Sequence, residues 1–450
     1  MEKRHVSRIQ YQKPFSYLIF LNTFTKWYLF LKKSQYWTKD QIEEYQIKKL
    51  KELVSHTYSN VPYYQTALNK KTVKPSQINK LSDLSKLPCI TRKDIQKNST
   101  NLKAVSYPNN AFKRTMTGGT TGTPLKLYVE KARWLGIHFA FNKIYMDRAQ
   151  YRWTDKVVSL TGITDRYRYH PFLRTLELSS FHTTKKDLDE YFQKITRFKP
   201  RFITSYPSAL TLFTQYLQNT HKTPPSTIKA IFLHGETVFN WQRKLIEEFF
   251  DCPVFDQYGH REQCAFATTC EKNNQYHVYP EYGIVEIIDE QGNLLTKKGE
   301  QGEIIATSLT NNVFPLIRYK TGDIAIIGDE TCECGRQHLL LDRLLGRSQE
   351  FLLNSKKDRI PVTGLYHVIA EYASHVKECQ LIQERKGEII ITIVKDKGFT
   401  ENDAKKIIKS FFDRFQDSFI IHLEYVTEIE RTKQGKYRYI IQKIPDIARL

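Results

Sequence analysis

Acidic residues are scarce at the start of this chain. Residues 1–110 hold 7 Asp and Glu against 20 Lys and Arg, so +13 of the formal net charge of +21 sits in the first quarter. A surface that poor in acid suits nucleic acid or an anionic membrane face. No RRM, KH or zinc-finger pattern accompanies the charge, so no nucleic-acid partner is expected. A membrane face needs only the charge, at roughly 1 kcal/mol per Lys or Arg. Cysteine is sparse and odd in number, seven in 450 residues, which excludes a disulfide framework and points to a reducing, cytoplasmic compartment.

Long apolar runs are missing as well. The nearest approach, Phe15 to Leu31, is interrupted by Asn22, Thr23, Thr25 and Lys26. It falls short of the roughly 20 apolar residues that cross a bilayer, and no small-residue cleavage site follows it. Two readings remain. An aromatic helix could lie in the membrane interface with lysines on anionic lipid, giving peripheral contact at the inner membrane face, or the helix packs on the body of the protein. A Walker A ending is also absent, because Gly122 is followed by Thr123 and Pro124 rather than Lys-Ser/Thr.

What is present is a chain with 40% hydrophobic residues, enough for at least two cored domains. Asp40 to His56 has helical spacing behind a candidate N-cap, Thr38. From Leu125 onward strand and helix patterns alternate: Leu125–Val129, Lys131–Arg148, Lys156–Leu160, Asp187–Phe198, Phe202–Ser205, Ser208–Gln218, Ala230–Leu233, Trp241–Phe250 and Val254–Phe255. Alternation of this kind predicts an α/β architecture with a largely parallel sheet. Ligands then collect at the carboxyl ends of the strands.

Thr115 to Lys126 packs three glycines and five threonines into twelve positions. Glycines free the backbone to aim several N–H groups at one anion and hydroxyls add donors, so Thr117, Gly118, Gly119, Thr120, Thr121 and Gly122 read as a phosphate cradle. The same composition also suits an ordinary turn between strands. Downstream come His234-Gly235-Glu236 after a strand, Asp256-Gln257-Tyr258-Gly259-His260-Arg261-Glu262, Arg318-Tyr319-Lys320-Thr321-Gly322-Asp323, Gly346-Arg347, and Arg431-Thr432-Lys433-Gln434-Gly435-Lys436. Cys270-x6-His277 and Cys332-x-Cys334 supply four Cys/His residues, the number a closed zinc site uses. Free buried thiols are the alternative, with Cys264 as a substitute ligand.

In this order the motifs resemble the adenylate-forming enzyme superfamily, and most closely its phenylacetate-CoA ligase-like branch with the CapK type of capsular polysaccharide biosynthesis protein. Asn60-Val61-Pro62-Tyr63-Tyr64 and Leu81 to Asp94 resemble that branch too. The resemblance implies a large α/β adenylate-binding domain with parallel sheets (residues 61–345), preceded by a basic aromatic segment (1–60) and followed by a small mobile α+β lid (346–450). It implies that Thr117–Gly122, Gly235, Glu236, Tyr258, Gly259, Asp323 and Arg347 bind the nucleotide, and that Asp323 accepts from the ribose hydroxyls. Glu262 would hold Mg²⁺ on the phosphates of ATP, and Lys436, with Lys433 in reserve, would reach the acyl carboxylate and α-phosphate. A basic surface turn is the other reading of that last stretch.

The implied activity is ATP-dependent conversion of a small-molecule carboxylate to an acyl-adenylate, with transfer to CoA or another acceptor, in capsule or surface polysaccharide synthesis. Cys270, His277, Cys332 and Cys334 would carry structural Zn²⁺. The competing expectation is a non-catalytic scaffold of a polysaccharide assembly machine that keeps the fold. Gln349 and Glu350 stand where relatives commonly carry Asp-Asp, and Asn354-Ser355-Lys356 where they carry glycine, which departs from the family pattern at the lid hinge. Asp165 to Arg174 and Tyr206-Pro207 either approach the acyl pocket or face solvent.

Overall fold

A computed structural model describes residues 14–116, 125–163, 165–182, 184–347, 351–355, 359–361, 375–415, 418–431 and 438–444. Its spine is a thirteen-stranded sheet. Five neighbouring strands run parallel, in the spatial order Val254–Gly259, Ala230–His234, Phe202–Ser205, Val157–Thr161 and Thr175–Ser179. They are apolar on both sides because helices cover both faces. Ile231 and Leu233 point at the helices Lys185–Phe198, Pro207–Asn219 and Asn240–Phe250, while Ala230 and Phe232 join Phe202, Phe255 and Tyr145 on the other face.

The sheet continues past Val254–Gly259 through antiparallel strands, among them Phe266–Thr269, Tyr276–Val278, Leu340–Arg347, Tyr319–Ile327, Gln301–Ser308 and Gly283–Ile288. At the opposite edge lies Tyr167–His170, antiparallel to Thr175–Ser179. Asp165 to Arg174 is therefore a sheet edge, with Tyr167 and Tyr169 about half exposed. Five strand positions separate it from Tyr258, so the solvent-facing reading of this stretch holds.

The aromatic N-terminal stretch is a helix, Pro14–Ser34, laid on the helix Lys131–Met146. Contact is so close at Gly136 that a Cβ there would meet Thr23 Cβ at 2.8 Å and the Phe20 carbonyl oxygen at 2.9 Å. Phe20 meets Phe139 edge-on at 5.5 Å, Trp27 packs on Phe141 at 5.7 Å, and Tyr28 Oη donates to Asp147 at 2.8 Å. Packing thus accounts for the aromatic content of the inner face. Tyr17, Leu18, Leu21 and Leu29 remain exposed on the outer face. No described helix is long and apolar enough to cross a membrane.

The next helix, Lys39–Asn60, starts at Thr38, whose side chain accepts from Gln41 N in a capping box. Its buried face, Leu50, Leu53 and Val54, shares a core with Tyr64, Ile90, Phe314 and Tyr319. A second, smaller core lies C-terminal. There the four-stranded sheet ordered Ile420–Val426, Glu388–Lys395, Val376–Gln383, Ile440–Gln442 packs Leu381, Ile389, Ile391 and Ile393 against Ile407 and Phe411 of the helix Glu401–Phe415. The chain is therefore a large α/β domain followed by a small α+β one, which meet at Phe239 and Tyr439 with ring centroids 6.0 Å apart.

Candidate active site

Three adjacent parallel strands end at the same rim and deliver Tyr206, His234-Gly235-Glu236 and Tyr258-Gly259 there. Gly235 has φ +81°, a turn conformation that a Cβ would strain. The turn is held from below: Glu236 accepts from Ser208 N at 3.0 Å and from Ser208 Oγ at 3.1 Å. Its charge sits on the amino end of the helix Pro207–Asn219, where the helix dipole favours an anion. Tyr206 packs edge-on to His234 at 5.4 Å.

Curvature of the sheet returns Asp323 to the same rim, where Tyr258 Oη donates to Asp323 Oδ2 at 2.7 Å. The backbone around the aspartate is fixed. Gly322 has φ +78°, Asp323 N donates to Thr321 Oγ1 at 3.0 Å, and Thr321 Oγ1 donates to the Ile304 carbonyl at 2.8 Å. Asp323 lies in register with Arg347 on the neighbouring strand.

Glu262 is buried and its Oε1 accepts from Tyr319 Oη at 3.1 Å. His260 Nδ1 stands 3.5 Å from the other oxygen, and the His260 ring lies between those of Tyr258 and Tyr319. Burial, and then the Glu262 charge, push the Tyr319 phenol well above its usual range, so it stays a donor to the carboxylate. A single oriented carboxylate fits the way Mg²⁺ binds proteins, through one or two carboxylates with phosphates completing the shell.

Arg318, the first residue of its motif, has a structural task. Its guanidinium grips Glu286 with two bonds of 3.0 and 3.1 Å and donates to the Leu87 carbonyl at 3.3 Å. Ile90 bridges to Tyr319 beside it. Tyr319 and His260 were given no role from sequence, although both stand within motifs that were singled out, Tyr319 at a fixed position and His260 at a free one.

Thr117, Gly118, Gly119, Thr120, Thr121, Gly122, Lys433, Lys436, Gln349 and Glu350 lie outside the described residues, and Arg347 is described only in its backbone. The strands Phe112–Met116 and Lys126–Glu130 pair antiparallel with Met116 opposite Lys126.

Away from this rim, Cys270, His277, Cys332 and Cys334 present ligand atoms that all lie within 4.8 Å of one another. Cys270 Sγ and Cys332 Sγ are 3.6 Å apart, and Cys334 Sγ and His277 Nε2 are 3.7 Å apart. Tetrahedral zinc with bonds of ~2.3 Å to sulfur and ~2.0 Å to nitrogen spaces its ligands by roughly 3.5–3.8 Å, so the residues fit the ion. Hydrogen bonding from Cys270 and His277 holds the Cys334 thiol far below its usual range, and the Cys270 thiol rises in consequence. Burial keeps His277 neutral, as a ligand must be. Cys264 is not a substitute ligand: it is buried elsewhere, with its thiol against the Glu262 carbonyl at 3.4 Å.

Residues 352–443 match the family described as CapK C-terminal domain. Protein CapK of Staphylococcus aureus is 26% identical over 412 residues, covering 89% of each chain. The phenylacetate-coenzyme A ligase of Thermus thermophilus is 24% identical over 366 residues, covering 78% of this chain and 80% of its own. Among solved structures, 2-hydroxyisobutyryl-CoA ligase in the postadenylation state superposes with a TM-score of 0.75 at 17% identity, over 91% of this chain and 93% of that one.

A large domain whose sheet rim gathers these motifs, with a small domain after it, is the fold that the chain shares with 2-hydroxyisobutyryl-CoA ligase. In sequence the chain is similar to CapK and to the phenylacetate-CoA ligases.

Proposed function

We propose that the protein activates a carboxylic acid with ATP to an acyl-adenylate and pyrophosphate, then transfers the acyl group to CoA or another acceptor. The observation that carries this reading is the shared rim, where Tyr258 orients the Asp323 carboxylate at 2.7 Å and Tyr319 orients Glu262 at 3.1 Å. An ionised carboxylate is an acceptor-only group suited to ribose hydroxyls. Glu262 would hold Mg²⁺, which neutralises phosphate charge as the acid attacks the α-phosphate.

Gly235 and Glu236 fix the turn beside the nucleotide, and Thr117–Gly122 and Arg347 contribute on the strength of their motifs. Lys436 is assigned to the developing charge at the α-phosphate. The domain division at residues 60, 345 and 346 is proposed on the same basis.

Homology to CapK supports placement in capsule or surface polysaccharide synthesis. A retained-fold scaffold is the second reading, and the buried, oriented Glu262 speaks against it. ATP–pyrophosphate exchange measured with a panel of carboxylates tests the proposal: exchange that requires an acid supports it, and no exchange with any acid favours the scaffold.

Zinc at the four Cys/His ligands is proposed as a structural tie between Tyr276–Val278 and the loop after Ile327, with no part in the chemistry. Cytoplasmic placement with peripheral membrane contact is proposed through the outer face of Pro14–Ser34, where Leu18, Leu21 and Leu29 lie exposed among Lys26, Lys32 and Lys33.

A further inference from the structure

Several histidines of the large domain are matched with polar partners: His56 with the Asn312 carbonyl at 2.9 Å, His138 with Asn142 at 3.1 Å, and His170 with Glu177 at 2.8 Å. Others are not. Among the described residues, His277 Nδ1 and both ring nitrogens of His338 and His260 are buried without a hydrogen-bond partner. His277 belongs to the Cys/His cluster, and His338 packs against it with ring centroids 5.7 Å apart. His260 stands elsewhere, on the active-site rim, with its side chain 9% exposed. A buried polar group without a partner is costly, so two such nitrogens on one ring point to a bound group that meets them.

The backbone brings this ring to Glu262. After the strand Val254–Gly259 the chain turns at once: Gln263 N donates to the His260 carbonyl at 3.2 Å, and Gln263 takes φ +60°. Within that turn His260 Nδ1 comes to 3.5 Å from Glu262 Oε2. That is beyond the ~3.2 Å reach of an ordinary N–H···O bond. An octahedral ion with bonds of about 2.1–2.2 Å sets neighbouring donors ~3.0–3.1 Å apart, so a closure of ~0.4–0.5 Å puts both atoms on one ion. The edge-on rings of Tyr258 at 6.0 Å and Tyr319 at 6.2 Å hold the imidazole between them. Because Tyr258 bonds Asp323 and Tyr319 bonds Glu262, the ring lies between the carboxylate assigned to ribose and the one assigned to the metal.

We propose that His260 Nδ1 is a second protein ligand, beside Glu262 Oε2, for the divalent ion that enters with ATP, and that the site therefore favours Mn²⁺ over Mg²⁺. The inference rests on the adenylation reading above. Mg²⁺ is a hard ion that takes oxygen ligands and gives up its waters reluctantly, so an imidazole beside the carboxylate adds little to its binding. First-row divalent ions accept nitrogen as well as oxygen. Mn²⁺ combines that tolerance with affinity for the carboxylate and phosphate oxygens that complete the shell.

The test is electron–nuclear double resonance on the full chain, with ¹⁵N-labelled histidine, loaded with Mn²⁺ and α,β-methylene-ATP. The expected spectrum shows ³¹P coupling from the nucleotide and ¹⁵N coupling at the same ion, and His260→Leu loses the ¹⁵N coupling. The label separates imidazole from adenine nitrogen, and dependence on the nucleotide separates this ion from one at His277. In acid-dependent ATP–pyrophosphate exchange, KM for Mn·ATP should lie at least ~10-fold below that for Mg·ATP, and the ratio should collapse in His260→Leu. Wild-type ³¹P coupling without ¹⁵N coupling overturns the inference while leaving the metal–nucleotide reading intact. Equal losses with both ions in His260→Leu also overturn it, by making the ring a support for Glu262 alone. Absence of ³¹P coupling defeats the adenylation reading itself, and the ligand assignment falls with it.

Discussion

Replacing Asp323 by alanine probes the geometry on which the nucleotide assignment depends. In the structure its carboxylate is held by Tyr258 Oη at 2.7 Å, on a backbone fixed by Thr321 and the left-handed Gly322. That leaves acceptor capacity for both ribose hydroxyls, because an ionised carboxylate offers about four lone-pair sites. Two hydrogen bonds to a charged acceptor are worth about 1.5–3 kcal/mol each, against which water regains part of the loss. A net cost of about 3 kcal/mol corresponds to a rise of ~100-fold or more in KM for ATP.

Tyr258→Phe leaves the carboxylate in place but frees it to rotate. It should cost about 1 kcal/mol, or ~5-fold. The assay is steady-state ATP–pyrophosphate exchange at saturating acid, with 2′-deoxy-ATP as a second substrate. Wild-type protein should use 2′-deoxy-ATP at least ~10-fold less efficiently than ATP, and the alanine variant should no longer tell them apart. Equal use of the two nucleotides by the wild-type protein, or an unchanged KM in Asp323→Ala, would refute the assignment.

Four further outcomes are expected. Elemental analysis should find one zinc per chain, reduced in Cys332→Ser, whereas protein purified without chelators and free of zinc would exclude the site. Lys436→Ala should depress adenylation by orders of magnitude while sparing transfer from supplied acyl-adenylate, and equal loss in both half-reactions would mark the lysine as structural. Burial holds the Glu281 carboxyl up to about 7 from 4.5, so the folded state keeps a proton that the unfolded chain releases. Stability should therefore fall as pH climbs from 4.5 to 7, by about 3 kcal/mol in all, and Glu281→Gln should remove that part of the slope in denaturant titrations; an unchanged slope would refute it. Replacing Leu18, Leu21 and Leu29 together by serine should abolish salt-sensitive flotation with anionic vesicles at unchanged Tm, and a large fall in Tm would show that this face belongs to the fold.

The parallel half of the sheet was legible because each buried strand is a short apolar run followed by a helical period. Phe202–Ser205 falls at its expected bounds, the helix Pro207–Asn219 is longer than expected by a residue at each end, and Asn240–Phe250 by a residue at its start. The antiparallel half was not legible. Gln301–Ser308 starts with polar residues and ends with Thr307 and Ser308, fully buried through sheet position rather than through apolar character.

For the N-terminal helix, sequence left two readings open because aromatic residues suit an interface and a core equally. Gly136 shows the inner face packed on the body of the protein, and it lies more than a hundred residues from the segment it receives, while the exposed outer face leaves membrane contact as a proposal. The metal cluster was legible as spacing, although Cys332 and Cys334 reach Cys270 and His277 only because Tyr276–Val278 pairs with Leu340–Arg347. His260, whose type its motif leaves free, carried no signal, and Tyr319, fixed in its motif, had no assigned role, yet they are the neighbours that set the Glu262 carboxylate.

The central claim is that a substrate carboxylate oxygen attacks the α-phosphate of ATP. A carboxylic acid enriched in ¹⁸O in both carboxyl oxygens, turned over with ATP and CoA, tests it directly. Attack at the α-phosphate transfers a carboxylate oxygen to the nucleotide, so the account predicts AMP carrying one ¹⁸O with pyrophosphate unlabelled, read by mass spectrometry. Unlabelled AMP, or ADP as the nucleotide product, would contradict it.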